Sequence, residues 1–182
     1  QTIFSRDELL SLFDMANIAL ASATFDHDKL EWLNGTYIRS LDSATFAKVL
    51  KTRLELDLPP DVARPLDESL VEDIAPLIQE RITLMTDAIH LVDFFWVTDV
   101  PVPPVEDFLV KKWRDRGPEA ATALSTAATK LEAISDSEWN RERIESVLRE
   151  HAESIGLKAG ELLSIVRTAV TGKKVSPPLF ES

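Results

Sequence analysis

The side chains best placed to do chemistry in this chain are cations and flat groups gathered near one end. Over residues 157–182, LKAGELLSIVRTAVTGKKVSPPLFES, an apolar face repeats at helical spacing through Leu162, Leu163, Val166, Ala169 and Val170. Arg167, four residues after Leu163, falls at its edge, where a planar fork of donors can reach a partner without being buried. Gly172 can take positive φ just past the helix end, so the chain turns there and presents Lys173, Lys174 and the proline-stiffened 177–180 loop together. Helix, basic turn and stiff apolar loop make one surface suited to recognition.

Reaction chemistry has no comparable cluster. His27, His90 and His151 are isolated, cysteine is absent, and no zinc-type spacing or glycine-rich strand-to-helix turn is present to hold a metal or nucleotide phosphates. Paired carboxylates such as Glu142 with Glu145, or Glu150 with Glu153, fall at exposed helical spacing beside Arg141, Arg143 and Arg149. They read as a solvated ion-pair face and not as an acid–base dyad.

Helices must position these residues, since no segment alternates convincingly as a strand and no repeat recurs at fixed period. Ser5 with Glu8 forms a capping box ahead of Leu9, Leu10, Leu12 and Phe13. Asp26 caps a second helix with Leu30, Leu33, Tyr37 and Ile38 on its apolar side and Trp32 beside them; Trp32 and Tyr37 are expected to serve structure. Asp42 starts a third helix through Phe46, Val49, Leu50 and Leu54, broken at Leu58-Pro59-Pro60. From Asp67 a helical pattern runs to Leu91, and Pro76 must kink or divide it. The apolar cluster at Val92, Phe94, Phe95, Trp96 and Val97 precedes a semi-rigid linker, Val100-Pro101-Val102-Pro103-Pro104. Beyond it lie a short helix around 108–113, one opened by Pro118, one capped by Ser135 with Glu138 and stopping at Gly156, and a last one over 159–171. Trp96, Trp113 and Trp139 are assigned to packing. The fold class is all-α, with helices packed as a cage instead of an up-down bundle.

Hydrophobic residues make up 45% and charged residues 28%, with no apolar run of membrane-spanning length and no basic-then-apolar start. A soluble cytoplasmic protein is expected, without a membrane partner, without a metal and as a monomer. The net charge of −11 opposes nonspecific coating of a polyanion. Two basic islands stand out against it: Lys111, Lys112, Arg114 and Arg116 facing only Asp115, and Lys158, Arg167, Lys173 and Lys174 facing Glu161 and Glu181. The first island is open between phosphate contact and a solvated helix end.

Gly156-x-Lys158-x-Gly160, then Arg167-x-Ala169-x-Thr171-Gly172 and Ser176-Pro177-x-Leu179-Phe180-Glu181, resemble the anticodon-binding end of bacterial-type glutamyl-tRNA synthetases. A second block, FDHDKLEWLNGTYIR over 25–39, is similar to another signature of that family, and the stretch between, with Pro76-Leu77-Ile78-Gln79-Glu80-Arg81, reads like its helical connector. The family's His-x-Gly-His and Lys-x-Ser-Lys signatures do not occur here. The resemblance implies a carboxy-terminal fragment of a glutamate–tRNA ligase, inactive alone, whose parent uses ATP and magnesium while the fragment itself needs no cofactor. Its implied partners are glutamate tRNA and the catalytic domain of the same polypeptide.

The implied organisation is a connector over 1–45 and two anticodon-binding helical subdomains over 46–103 and 104–182. Arg167 and Arg81 then contact the second and third anticodon bases, and Ser176, Pro177, Leu179 and Phe180 line the pocket for the first. Lys29, Arg39, Lys111, Lys112, Lys158, Lys173 and Lys174 are the candidate phosphate contacts. Two alternatives stay open at single residues: an ion pair for Arg81, and an inward-packed lid for Phe180. For the whole chain the alternative is a helical interaction or scaffold domain that does not bind RNA.

Overall fold

Serine, aspartate and asparagine side chains start five of the described α-helices by accepting backbone N–H groups that a first turn leaves free. The computed structural model describes residues 3–18, 24–97 and 99–181, and every regular element among them is helical. In α1 (Arg6–Leu12) the capping box forms as the sequence implies: Glu8 N–H donates to Ser5 Oγ at 3.2 Å and Ser5 N–H to the Glu8 carboxylate at 2.7 Å. The Ser5 backbone N–H, and after it the Ser5 hydroxyl, hold the Glu8 carboxyl below its usual range. No residue of α1 is buried.

Asp26 caps α2 (His27–Ser40), but only Gly35 and Ile38 of that helix are buried. Leu30, Trp32 and Tyr37 are exposed, which corrects the structural role expected for the two aromatics: α2 meets the rest of the fold along its last turns alone. Asp42 caps α3 (Ser43–Asp57), and the Thr45 hydroxyl and N–H keep its carboxyl below the ordinary value. α4 (Glu68–Ile78) runs through Pro76, and the pattern expected through Leu91 is divided beyond it, at the turn that follows Ile78, to resume as a helix at α5 (Ala88–Val92). Phe46, Leu50, Leu54, Ile74, Ile78, Ile82 and Val92 form the first core, with Phe95 and Trp96 packed on it.

The helix expected around 108–113 is replaced by two 3-10 turns, Val105–Asp107 and Lys111–Trp113. Lys111 has φ +52°, a left-handed value that a right-handed helix cannot pass through. α6 (Gly117–Glu132) opens with Pro118 in its first turn, as expected. α7 (Arg141–Ser154) is capped by Asn140, which accepts from Arg143 N–H at 2.9 Å, and not by Ser135, whose segment forms a separate 3-10 turn. Trp139 lies in that break and is 54% exposed, against the packing role expected for it. α8 (Ala159–Thr171) has the expected span and ends at Gly172 with φ +69°. Its buried face runs through Leu162, Ile165 and Val166, while Ala169 and Val170 are exposed. Trp113, Ala120, Ala123, Ala127, Leu148, Ala152 and that face make the second core, with the small alanines of α6 letting the helices approach closely. No described helix is long and apolar enough to cross a membrane.

Candidate nucleic-acid interface

Arg81 stands on the turn that follows α4, and that turn is anchored on both sides. Before it, the Gln79 amide donates to the carbonyls of Ile38 and Leu41 at the end of α2, both at 2.9 Å. After it, Ile82 is buried at 1% exposure and the Asn34 amide donates to the Thr83 carbonyl. Asp87 accepts from Leu84 N–H at 2.8 Å and, more weakly, from Thr83 N–H at 3.3 Å. The Arg81 side chain is exposed and makes no hydrogen bond or ion pair with any described residue, so the ion-pair alternative is not what the structure contains. A rigid turn carrying an unengaged guanidinium is prepared for an outside acceptor.

Arg39 shares this junction. Gly35 is buried under it: a Cβ there would lie 3.0 Å from the Arg39 guanidinium and 3.2 Å from the Thr83 methyl group. Arg39 and the Arg81 turn, assigned by motif to separate contacts, therefore lie together. Lys29 is exposed in the first turn of α2.

Arg167 lies on the other module, half-buried between Val166 and Thr168 of α8. Its Nε is buried and has no acceptor, a state that costs about 1–3 kcal/mol unless a partner supplies one. The loop beyond α8 is packed back against the protein. Ser176 is 2% exposed and its hydroxyl donates to the Pro177 carbonyl at 3.0 Å, so Ser176 and buried Pro177 lie behind the surface. Leu179 and Phe180 are half-buried against the second core, and the Glu181 carboxylate pairs with Arg141 at 3.2 Å. Phe180 thus combines the lid and the partly open ring that the sequence leaves as alternatives.

The lysines divide into engaged and free. Lys173 reaches the first module, donating to the His90 carbonyl at 2.7 Å and pairing with Asp93, while Lys174 pairs with Asp107 at 2.6 Å. The basic turn expected to face a phosphate instead ties segments of this chain together. Lys111, Lys112 and Lys158 are exposed and line one hollow with Gly160, Glu161 and Ser164. Asn34 and Gln79, which position the Arg81 turn, are not marked out by residue type, because their partners are carbonyls distant in sequence.

A family model described as anticodon binding domain matches residues 44–182, taking in α3 to α8. The chain is 37% identical over 185 residues to the glutamate–tRNA ligase of Acidothermus cellulolyticus, covering 99% of this chain and 35% of that protein. It is 38% identical to the glutamate–tRNA ligase of Thermobifida fusca, covering 96% of this chain and 36% of that one. It thus spans about a third of the length of these curated relatives. Among solved structures, a glutamate tRNA ligase from Elizabethkingia meningosepticum superposes with a TM-score of 0.70 at 23% identity, over 98% of this chain and 33% of that one, which shows the fold. Both helical cores and both candidate arginines fall within the matched span apart from the end of α2, and the chain belongs to the anticodon binding domain family.

Proposed function

We propose that the chain binds glutamate tRNA and reads its anticodon, as part of a longer glutamate–tRNA ligase that joins glutamate to that tRNA for protein synthesis. The observation that carries this reading is Arg81: an exposed, unengaged guanidinium on a turn anchored from both flanks. Arg167, with its acceptor-less Nε, supplies a second donor for an unstacked base, and Phe180 offers the open part of its ring for stacking. Leu179 lies beside Phe180, and Ser176 and Pro177 support the loop from behind. Lys29, Arg39, Lys111, Lys112 and Lys158 hold phosphates and set register. In this reading 1–45 is a connector and 46–103 and 104–182 are the two subdomains, with Ile38 and Leu41 of the connector packed into the first core. ATP, magnesium and the adenylate chemistry belong to the rest of that enzyme, which is cytoplasmic and monomeric.

The test is binding of the chain to glutamate tRNA and to an anticodon-swapped version across a salt series. Arg81→Ala and Arg167→Ala should each remove about 1–3 kcal/mol of anticodon discrimination while leaving most backbone affinity, since planar donors specify and phosphate contacts position. Equal weakening for both tRNAs would reduce the arginines to electrostatic roles. The net charge of −11 favours the scaffold alternative, and that reading would be left standing by absence of tRNA binding at every salt.

A further inference from the structure

Asn34, Ile38 and Leu41 recur at helical spacing along α2 and its cap, and each of them meets the segment that carries Arg81. The Asn34 amide donates to the Thr83 carbonyl, and the Gln79 amide donates to the Ile38 and Leu41 carbonyls at 2.9 Å each. Gly35 is buried inside this contact. It stands in the interior of α2, where glycine weakens a helix relative to alanine, yet the helix runs past it without a break. The space around it supplies the reason. A Cβ at Gly35 would lie 3.2 Å from the Thr83 methyl carbon and 3.0 Å from the Arg39 guanidinium, closer than side chains ordinarily pack.

The two neighbours differ in what they can yield. The Arg39 guanidinium ends a long side chain with several staggered rotamers, so it swings aside at little cost. The Thr83 methyl group has no such freedom. It belongs to a β-branched side chain, stiff at χ1, in a residue whose carbonyl is taken by Asn34 and whose N–H and hydroxyl approach the Asp87 carboxylate at 3.3 and 3.4 Å. Ile82, just before it, is 1% exposed and belongs to the first core. A methyl group added at Gly35 therefore displaces the backbone of the Arg81 turn, by a few tenths of an ångström, and not a side-chain end alone. Arg81 stands two residues before Thr83, and its exposed guanidinium moves with that backbone. A planar fork of donors is sensitive to such a shift, because both of its bonds must align with the acceptor at once.

We propose that Gly35, with Asn34 beside it, is a specificity-determining positioning residue: by letting α2 come close to the Thr83 backbone, it sets where the Arg81 guanidinium stands for the base it reads. The inference rests on the anticodon reading above and adds to it a buried position that lies behind the reading surface. Gly35 carries no side-chain donor and no charge, so its part in discrimination comes from the room it leaves.

The experiment measures binding of glutamate tRNA and of its anticodon-swapped version to the parent chain, to Gly35→Ala, to Thr83→Ser and to the double variant, with urea unfolding of each. In Gly35→Ala the preference for the cognate anticodon should fall by about threefold to tenfold, a part of the roughly 5–150-fold that a well-seated bidentate donor supplies. The unfolding midpoint should not fall in step, because alanine favours the helix interior. Thr83→Ser removes the obstructing methyl group and keeps the hydroxyl, so the double variant, measured against Thr83→Ser alone, should recover the lost preference. Asn34→Ala adds no bulk and releases the same carbonyl, and it should lower the preference by a second route. Parent-like preference in either Gly35→Ala or Asn34→Ala would overturn the proposal, as would a loss that the double variant does not recover. Equal weakening for both tRNAs, reproduced by Arg39→Gln, would place the effect on the Arg39 guanidinium and refute the positioning role. Failure of the anticodon reading itself looks different: the parent would show no preference before any substitution, and Gly35 would then have nothing to position.

Discussion

Arg81 and Arg167 carry the same guanidinium into opposite surroundings. Arg81 is exposed and unengaged, and its placement comes from neighbours; Arg167 is half-buried with an Nε that the protein leaves without an acceptor. The first arrangement depends on Gln79, whose amide satisfies two carbonyls at the end of α2 at 2.9 Å each. Replacing Gln79 by Ala leaves the Leu41 carbonyl without that donor, while the Ile38 carbonyl keeps the Leu41 N–H at 3.2 Å, and the one carbonyl left short costs about 1–3 kcal/mol. Urea unfolding should report that loss, and discrimination by Arg81 should weaken as its turn is released. A variant as stable and as selective as the parent would show that the turn holds its shape without the amide. Both arginines are legible as candidates from motif and spacing, whereas the Gln79 and Asn34 anchors are not, because each bonds to a carbonyl that only folding brings near.

At the scale of elements, capping residues decide where helices begin, and backbone conformation decides where they end. Asp26, Asp42, Asp67 and Asn140 each accept a first-turn N–H, so α2, α3, α4 and α7 start immediately after them. Gly172 ends α8 in the left-handed region, and it does so in contact: a Cβ there would lie 2.8 Å from Val100 Cγ1 and 3.2 Å from the Pro101 carbonyl oxygen. Gly172→Ala should therefore lose about 1–2 kcal/mol from backbone conformation alone, with the clash against the linker added to it. The change would also disturb Lys173, the next residue, and its contacts to His90 and Asp93. Chemical unfolding of the variant checks this, and stability within experimental error of the parent would contradict the tight approach.

For the molecule as a whole, the cores matter as much as the elements. One apolar cluster runs from Ile38 to Trp96 and the other from Phe108 to Phe180; the polar tie between them is Lys173 to Asp93 and to the His90 carbonyl, while Lys174 pairs with Asp107 within residues 104–182. Such partly exposed pairs contribute about 1 kcal/mol or less. Leu50 is fully buried in the first core, and truncating it to Ala should cost about 2–5 kcal/mol. Hydrogen exchange should then accelerate through α3 and α4 while α8 keeps its protection. Parallel acceleration in both regions would mean that the two cores open as one unit.

Local chemistry makes much of this protein legible before any packing is known. The capping acids, Pro118 in the first turn of α6, the left-handed glycine after α8 and the span of α8 all follow from interactions within a few residues, which sequence states directly. Tertiary structure decided which faces are buried and which charges are free. Trp32, Tyr37 and Trp139 are exposed although their type favours burial, because no other element covers those stretches of helix or turn among the described residues. Ile165 takes the core position and Val170 does not, because α6 and α7 meet α8 on a slightly rotated face. Lys173 and Lys174 are engaged by carboxylates from other segments, whereas Lys111, Lys112 and Lys158 converge unengaged through the Trp113–Glu161 contact. A cation's neighbours in space are set by how helices dock, and docking is a property of the whole apolar surface, which no short window of sequence contains.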